Sequence, residues 1–197
     1  MEIESVKKSI ESAISKFGAI HGAVNCAGVA SAQKVVGRTS PYPLQEFNKV
    51  MTINVTGTFN VLRLAAWYMS KQEPVDSEDK ERGVIINVSS VAAYEGQIGQ
   101  AAYSASKGAV MAMTLPISRE LGALGIRCVT IAPGIFDTPM LANLPPKVRE
   151  SLAKQIPFPS RLGKTSEFAH LVSHIIENSM INGETIRLDG SIRMSAL

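Results

Sequence analysis

The sequence predicts an α/β fold, a doubly wound parallel sheet with helices on both faces. Two observations support this prediction. Short apolar stretches rich in β-branched residues alternate with longer stretches of helical periodicity. The 197 residues are 45% hydrophobic and 19% charged, which suits a domain with much buried surface. We therefore expect a single domain over residues 1–197, without internal repeats.

The helices are predicted from apolar residues that recur every three or four positions. Four segments have this pattern: 3–17, 44–70, 103–124 and 166–178. Gly18 ends the first, because glycine readily adopts the left-handed conformation that closes a helix. Pro41 and Pro43 precede the second.

The strands are predicted from short apolar runs, as expected for strands buried on both faces. These runs are 19–25, 84–88, 127–132 and 185–188. Three of them are followed by small, polar or turn-forming residues: Cys26-Ala27-Gly28, Ser89-Ser90 and Pro133-Gly134. The carboxyl ends of parallel strands meet at one edge of a sheet, so a functional site is expected there. The Pro-rich stretch 139–163, with its helical insert, predicts a lid over that site.

Composition excludes several classes of protein. The net charge is +3, with acidic and basic residues interspersed, so no basic stripe indicates nucleic-acid binding. No apolar run reaches the length of about 18 residues that a membrane span needs. Cys26 and Cys128 predict two buried, reduced thiols in an intracellular protein. His170 and His174 share a helix face without a third ligand, so no metal site is expected.

Tyr103 and Lys107 are the strongest chemical signal. They stand four positions apart and therefore share one face of a helix. An ammonium beside a phenol is expected to lower its pKa from about 10, which lets the phenol exchange protons with an alcohol or carbonyl. Ser90 could bind the same substrate oxygen. The pair could equally lie on a solvated helix face, but the buried strand 84–88 and the loop that follows favour a site for carbonyl–alcohol redox chemistry with a hydride carrier.

Five segments, in this order, resemble the short-chain dehydrogenase/reductase family. They are Asn25–Gly28, Asn54–Gly57, Asn87–Ser90 followed by Tyr103-x-x-x-Lys107, Pro133–Thr138, and Asn182-Gly183 through Asp189-Gly190. The resemblance implies a Rossmann-like sheet and an oxidoreductase that uses a nicotinamide dinucleotide.

The resemblance also implies roles for individual residues. The implied catalytic residues are Ser90, Tyr103, Lys107 and Asn54. The implied cofactor contacts are Asn25, Cys26, Ala27, Gly28, Tyr103, Lys107, Pro133, Gly134, Phe136 and Thr138, and the implied substrate contacts are Ser90, Gln97 and Tyr103. Simpler interpretations stay open: Cys26 and Phe136 could be packing residues, and Asn54 could interrupt a helix by bonding its own backbone.

Longer stretches resemble one branch of the family. They are residues 97–107, 113–116, 158–163 and 186–194. This branch implies an NAD-dependent, homotetrameric, mitochondrial enzyme that oxidises 3-hydroxyacyl-CoA to 3-oxoacyl-CoA and acts on some hydroxysteroids, with the cytoplasm as the alternative location. Two other functions stay open: a non-catalytic shortened subunit that assembles with full-length subunits, and a 3-oxoacyl-carrier-protein reductase.

One family feature is missing from the 197 residues. The family opens with Thr-Gly-x-x-x-Gly-x-Gly, where a helix N-terminus approaches the cofactor pyrophosphate. Gly18, Gly22 and Gly28 have a different spacing. We therefore expect an N-terminally incomplete sheet with an exposed apolar edge at strand 19–25. Expressed alone, such a chain should aggregate and bind NAD weakly. A gene fragment and a shortened isoform both fit, and the preference for NAD over NADP rests on the resemblance alone.

Overall fold

The fold is organised around a parallel sheet. A computed structural model describes residues 3–75, 77–142 and 145–196. Within them, four strands lie side by side in chain order: β1 (Gly22–Asn25), β2 (Gly83–Val88), β3 (Ile126–Pro133) and β4 (Thr185–Leu188). All three neighbouring pairs are parallel, with Ile85 of β2 opposite Ala23 of β1 and Cys128 of β3. The predicted α/β class is confirmed, and all four strands lie within the predicted runs to within one residue.

Helices connect the strands. They are α1 (Ile3–Phe17), α2 (Leu44–Met51), α3 (Gly57–Met69), α4 (Ala101–Gly122), α5 (Pro139–Ala142), α6 (Pro146–Lys154) and α7 (Thr165–Glu177). Gly18 has φ +87° and its N–H bonds the carbonyl of Ile14, so it ends α1 as predicted. The part of the predicted lid at 143–144 lies outside the described residues.

The structure corrects the prediction of a single helix over 44–70. A π-helical turn, Thr52–Thr56, separates α2 from α3, and the N–H of Gly57 bonds the carbonyl of Thr52. A π-turn inserts one extra residue into a helix, and such turns are frequent at functional sites. Asn54 lies inside this turn.

Two hydrophobic clusters cover the two faces of the sheet. On one face, Ile85 and Cys128 pack against Leu62 and Met69 of α3 and Leu121 of α4. On the other face the neighbouring strand residues pack against α7: Val84, Ile86, Val129 and Ile131 contact the cluster around Ile175. Side chains alternate between faces along a strand, so a strand apolar at every position is buried on both. The sheet is therefore doubly wound, as predicted.

Strand β1 lies at one edge of the described sheet. It pairs with β2, and Gly22 and Val24 are exposed. This confirms the expected exposed edge. None of the helices in the described ranges is long and apolar enough to cross a membrane.

The structure corrects one cysteine prediction. Cys128 is buried, but Cys26 is exposed, because it follows the last residue of β1 at the open end of the sheet. Both thiols are free. His170 and His174 are exposed on α7, and the described residues contain no cluster of three or more potential metal ligands.

Candidate active site

A cavity of about 400 Å³ opens at the carboxyl ends of the strands. The predicted residues that line it are Cys26, Gly28, Ser90, Tyr103, Lys107, Pro133, Gly134, Phe136 and Thr138. They come from the loops after β1, β2 and β3 and from the first turns of α4. The parallel order of the strands therefore brings together residues up to 112 positions apart in the chain, since Cys26 and Thr138 both line this cavity.

Ser90 is held by the turn that it begins. Its hydroxyl accepts a hydrogen bond of 3.1 Å from the N–H of Ala92 and thereby caps the 3-10 turn Val91–Ala93. The residue is 9% exposed. The Ser90 side chain lies close enough to Tyr103 to lower the pKa of its phenol, so these two predicted catalytic groups are neighbours in the cavity.

The pKa of Tyr103 differs from the prediction. Burial raises it above its usual value of 10, and the nearby Ser90 side chain offsets this only in part. The expected lowering by Lys107 is wrong for this structure. The Lys107 ammonium lies 5.8 Å from the centre of the Tyr103 ring and donates its hydrogen bond, of 2.8 Å, to the carbonyl of Val88. Desolvation of the phenolate therefore dominates.

Lys107 is a buried cation, 6% exposed. Burial lowers its pKa to about 8, and the nearby Cys26 thiol opposes this shift weakly. The same burial raises the pKa of Cys26, with Lys107 acting in the opposite direction. Lys107 thus titrates close to neutral pH inside the cavity, where a loss of its charge would change the electrostatics of the whole site.

Asn54 ties the loop after β1 to α4. Its amide donates to the carbonyl of Val29 and to the hydroxyl of Ser106, and its oxygen accepts from the N–H of Val29, each at 2.9 Å. The Ser106 hydroxyl donates in turn to the carbonyl of Tyr103 at 2.7 Å. The interpretation in which Asn54 bonds its own helix backbone is therefore wrong, because its partners lie 25 and 52 positions away.

Four predicted site residues do not line the cavity: Asn54, described above, and Asn25, Ala27 and Gln97. Asn25 donates its amide to Asn87 at 2.9 Å, which joins β1 to β2, and Ala27 is exposed beside the cavity-lining residues. Gln97 donates its side-chain amide to the carbonyl of Ser195, at 3.2 Å. The side-chain amides of Asn25 and Gln97 therefore bond residues outside the cavity lining, and Ala27 is not part of that lining.

Sequence reasoning missed part of the wall. The additional lining residues are Val88, Ser89, Met140, Leu141, Thr165 and Phe168. Phe168 of α7 packs edge-on against Phe136, with ring centroids 6.3 Å apart and planes at 87°. Met140 and Leu141 lie in the predicted lid, so the position of the lid in the sequence indicated that they could reach the cavity. Nothing in the sequence distinguished Phe168 from the other apolar residues of its amphipathic helix.

Small and polar residues around the cavity leave room for a bound ring. A side chain on Gly28 would come within 3.3 Å of the Asn54 amide oxygen and 3.4 Å of the Lys107 ammonium, so the missing Cβ keeps a space open beside them. Thr138 supplies a hydroxyl to the lining, Cys26 a thiol and Phe136 an aromatic ring. Such a lining can hold a flat ring that carries polar groups.

The comparisons with known proteins agree with this geometry. The family model for short chain dehydrogenases matches residues 1–149. The chain belongs to the short-chain dehydrogenase family. It is an oxidoreductase, and members of the family use nicotinamide dinucleotides as hydride carriers.

Individual members of the short-chain dehydrogenase family extend the comparison to nearly the whole chain. The chain is 55% identical to 3-hydroxyacyl-CoA dehydrogenase type-2 from Bos taurus over 193 residues, which cover 97% of this chain and 73% of that protein. It is 34% identical to 3-oxoacyl-[acyl-carrier-protein] reductase FabG from Thermotoga maritima, over 96% of this chain and 72% of that protein.

A solved structure supports the fold of this short-chain dehydrogenase. The crystal structure of 3-hydroxyacyl-CoA dehydrogenase type-2 from Mycobacterium avium matches with a TM-score of 0.94 at 39% identity. The match covers 100% of this chain and 76% of that structure.

Proposed function

We propose that the chain catalyses the NAD-dependent oxidation of 3-hydroxyacyl-CoA to 3-oxoacyl-CoA, and of some hydroxysteroids. One observation supports this most directly: Ser90, Tyr103 and Lys107 line one cavity. The substrate class follows from the similarity to 3-hydroxyacyl-CoA dehydrogenases type-2, at 55% identity for the bovine protein and 54% for the human one.

In the proposed reaction, Tyr103 acts as the base. Its phenolate takes the proton of the substrate hydroxyl, while the carbon that bears the hydroxyl loses its hydrogen as a hydride. The bound NAD supplies the acceptor for that hydride. The Ser90 hydroxyl donates a hydrogen bond to the substrate oxygen, which steadies it as the C–O single bond becomes a carbonyl.

Lys107 is proposed to stabilise the phenolate of Tyr103, and Asn54 is proposed to assist proton transfer. The positive charge of Lys107 favours phenolate formation as soon as the ammonium turns from the Val88 carbonyl toward Tyr103. Asn54 is proposed to hold a water for a proton relay past Lys107. The space left by the absent Cβ of Gly28 supports this, because it borders both the Asn54 oxygen and the Lys107 ammonium.

The remaining cofactor and substrate contacts are proposals of the same kind. Cys26, Gly28, Pro133, Gly134, Phe136 and Thr138 would hold the nicotinamide and its ribose, with Asn25 and Ala27 on the adenosine side and Gln97 toward the substrate. Met140 and Leu141 on the cavity wall support a substrate lid over 139–163. Preference for NAD over NADP, assembly into a homotetramer and a mitochondrial location are proposed from the similarity to the type-2 enzymes.

The test is a substrate panel with millimolar NAD, a concentration chosen to compensate for weak cofactor binding. The thioesters are 3-hydroxybutyryl-CoA and the same acyl group on an acyl carrier protein, and the third substrate is a hydroxysteroid. We expect NADH to form with the CoA thioester and to be lost in Tyr103→Phe, which removes only the ionisable hydroxyl. An active wild type with an equally active Tyr103→Phe would overturn the proposed chemistry.

A carrier-protein reductase is the second candidate, because the chain is also 34% identical to such an enzyme. Faster turnover of the carrier-protein thioester than of the CoA thioester would favour it. A non-catalytic subunit is the third. It predicts no turnover with any substrate in the panel and co-purification with a full-length dehydrogenase subunit, an outcome that the intact Ser90, Tyr103 and Lys107 set argues against.

A further inference from the structure

Arg187 spans from β4 to the loop that follows Ser90. Its guanidinium binds both oxygens of Glu95, at 2.7 and 3.0 Å. Its Nε donates to Asp189 at 2.7 Å, and a further N–H donates to the carbonyl of Ile192 at 3.0 Å. The guanidinium also lies 4.8 Å from the centre of the Tyr94 ring. A planar fork that is bidentate to one carboxylate and bonded to a second is held in a single orientation.

Three side chains of this network are largely shielded from water, whereas that of Arg193 is 60% exposed. The side chains of Arg187 and Glu95 are 20% and 22% exposed, and that of Asp189 is 9% exposed. Arg193 adds a second cation, at 3.5 Å from Glu95 and 3.1 Å from Asp189, so two cations balance two carboxylates. The Arg187 guanidinium holds the pKa of Glu95 below its usual value. This is a partly buried, charge-balanced network, which is worth more than an isolated surface pair.

On one side the network reaches the Ser90 turn. The N–H of Glu95 bonds the carbonyl of Val91, and the N–H of Ala93 bonds the carbonyl of Ser90. The Ser90 hydroxyl accepts a hydrogen bond from the N–H of Ala92. Glu95 is therefore joined to Ser90 through one short turn of backbone hydrogen bonds, and a shift of Glu95 would be passed to the Ser90 hydroxyl.

On the other side the network reaches the loop after β3. The N–H of Gly134 bonds the carbonyl of Leu188, next to Arg187. A side chain on Gly134 would come within 2.9 Å of the Asp189 Cα, so the two backbones are in close contact. Gly134 and Ser90 both line the cavity. Arg187 thus connects the loops after β2 and β3, each of which supplies a residue to the cavity lining.

The chain after β4 reinforces the same loop. The N–H of Met194 donates to Glu95 at 3.3 Å, the N–H of Ile98 donates to the carbonyl of Ala196 at 3.0 Å, and Gln97 donates to Ser195. The segment 192–196 therefore runs along the loop 95–98 and holds it from outside.

We propose that Arg187 and Glu95 are positioning residues, which fix the Ser90 hydroxyl in the cavity by tying the Ser90 turn to the loop of Gly134. This inference rests on the proposed function. Neither residue lines the cavity, so both act through Ser90. A displacement of Ser90 by about 1 Å would weaken its bond to the developing carbonyl and lower kcat by about 10- to 100-fold.

The decisive experiment is a double-mutant cycle with Ser90→Ala. Arg187→Met keeps the aliphatic stem, and Glu95→Gln keeps the shape of its partner. We expect each to lower kcat in the wild-type background with a smaller change in KM for NAD, and we expect the loss to shrink or vanish in the Ser90→Ala background. The same fold loss in both backgrounds, or no loss in the first, overturns the proposal.

A control is available in a second shielded ion pair, near the amino ends of β2 and β3. Arg127 donates to Glu81 at 2.9 Å, and their side chains are 7% and 18% exposed. Glu81→Gln, which matches Glu95→Gln in chemistry, should leave kcat unchanged. If Arg187→Met is too unstable to assay, Glu95→Gln completes the cycle.

The pH profile gives an independent reading. The Ser90 side chain lowers the pKa of Tyr103, so the alcohol-oxidation profile of Glu95→Gln should move to higher pH. An unmoved profile counts against positioning. An inactive wild type would instead count against the proposed function.

Discussion

Asn54 and Val29 exchange two hydrogen bonds, each of 2.9 Å, between a side-chain amide in the π-turn and a backbone peptide unit after β1. The same amide bonds Ser106 on α4. One buried side chain, 1% exposed, therefore joins the loop after β1 to the helix that carries Tyr103 and Lys107. A carboxamide can donate two hydrogen bonds while its oxygen accepts a third, which matches the three bonds that Asn54 makes.

Replacing Asn54 should therefore destabilise the protein strongly. Asn54→Ala leaves the N–H and carbonyl of Val29 without their partner, and we expect a loss of about 2–4 kcal/mol in the free energy of unfolding. Asn54→Asp should cost at least as much at neutral pH, because it loses both donated bonds and buries a charge. Denaturant titration measures both.

Asn60 provides the control for that titration. It is also buried, but its oxygen is bonded only to the Arg63 guanidinium, three positions along α3. Asn60→Ala should cost about 1 kcal/mol or less, since Arg63 can turn to water. Equal losses at the two positions would contradict a special role for Asn54.

Gly28→Ala should weaken cofactor binding. The new methyl would lie 3.3 Å from the Asn54 oxygen and 3.4 Å from the Lys107 ammonium, in the space proposed for the cofactor and a water. Crowding of this kind costs about 1–3 kcal/mol, so kcat/KM for NAD should fall about tenfold. In Gly22→Ala on β1, the methyl meets no atom within 4 Å, and kinetics should be unchanged. A similar loss in both variants would point to general strain near β1.

The buried Lys107 should make stability depend on pH. Its pKa falls from 10.5 in the unfolded chain to about 8 in the fold, so between these values the unfolded state binds more protons. The free energy of unfolding should therefore rise with pH from about 8 to 10.5, by at most about 1.4 kcal/mol per pH unit. Below pH 8 the full penalty of burying the charge is present.

Lys107→Met removes this titration and keeps a side chain of similar length. The difference in unfolding free energy between wild type and variant, measured from pH 7 to 10.5, isolates Lys107 from the groups common to both. Parallel curves would mean that Lys107 is not desolvated in the folded protein.

Sequence reasoning located most of the site because its signals are local. The i, i+4 spacing of Tyr103 and Lys107 needs only a helix, and the strand ends at Cys26, Ser90 and Pro133 need only a parallel sheet. These residues line one cavity as a consequence.

What the sequence missed depends on tertiary contacts. In the π-turn, Asn54 bonds Val29 and Ser106, which lie 25 and 52 positions away in the chain. Residues so distant do not enter a local sequence pattern around position 54. The contact of Phe168 with Phe136 requires α7 to cross the sheet. The raised pKa of Tyr103 comes from burial, which outweighs the effect expected from the spacing of the lysine.

The edge strand β1 should promote self-association of this chain. Ala23 packs on the α3 side, so Val24 faces the opposite side of the sheet, where it is 42% exposed. An exposed apolar edge is a template for pairing with another chain, and a lysine there opposes such pairing. Light scattering of the wild type should rise with concentration, and Val24→Lys should reduce it. Val35→Lys, at a loop valine that is 64% exposed, adds the same charge away from the edge and should have little effect. Equal effects of the two lysines would show that net charge, and not the β1 edge, controls association.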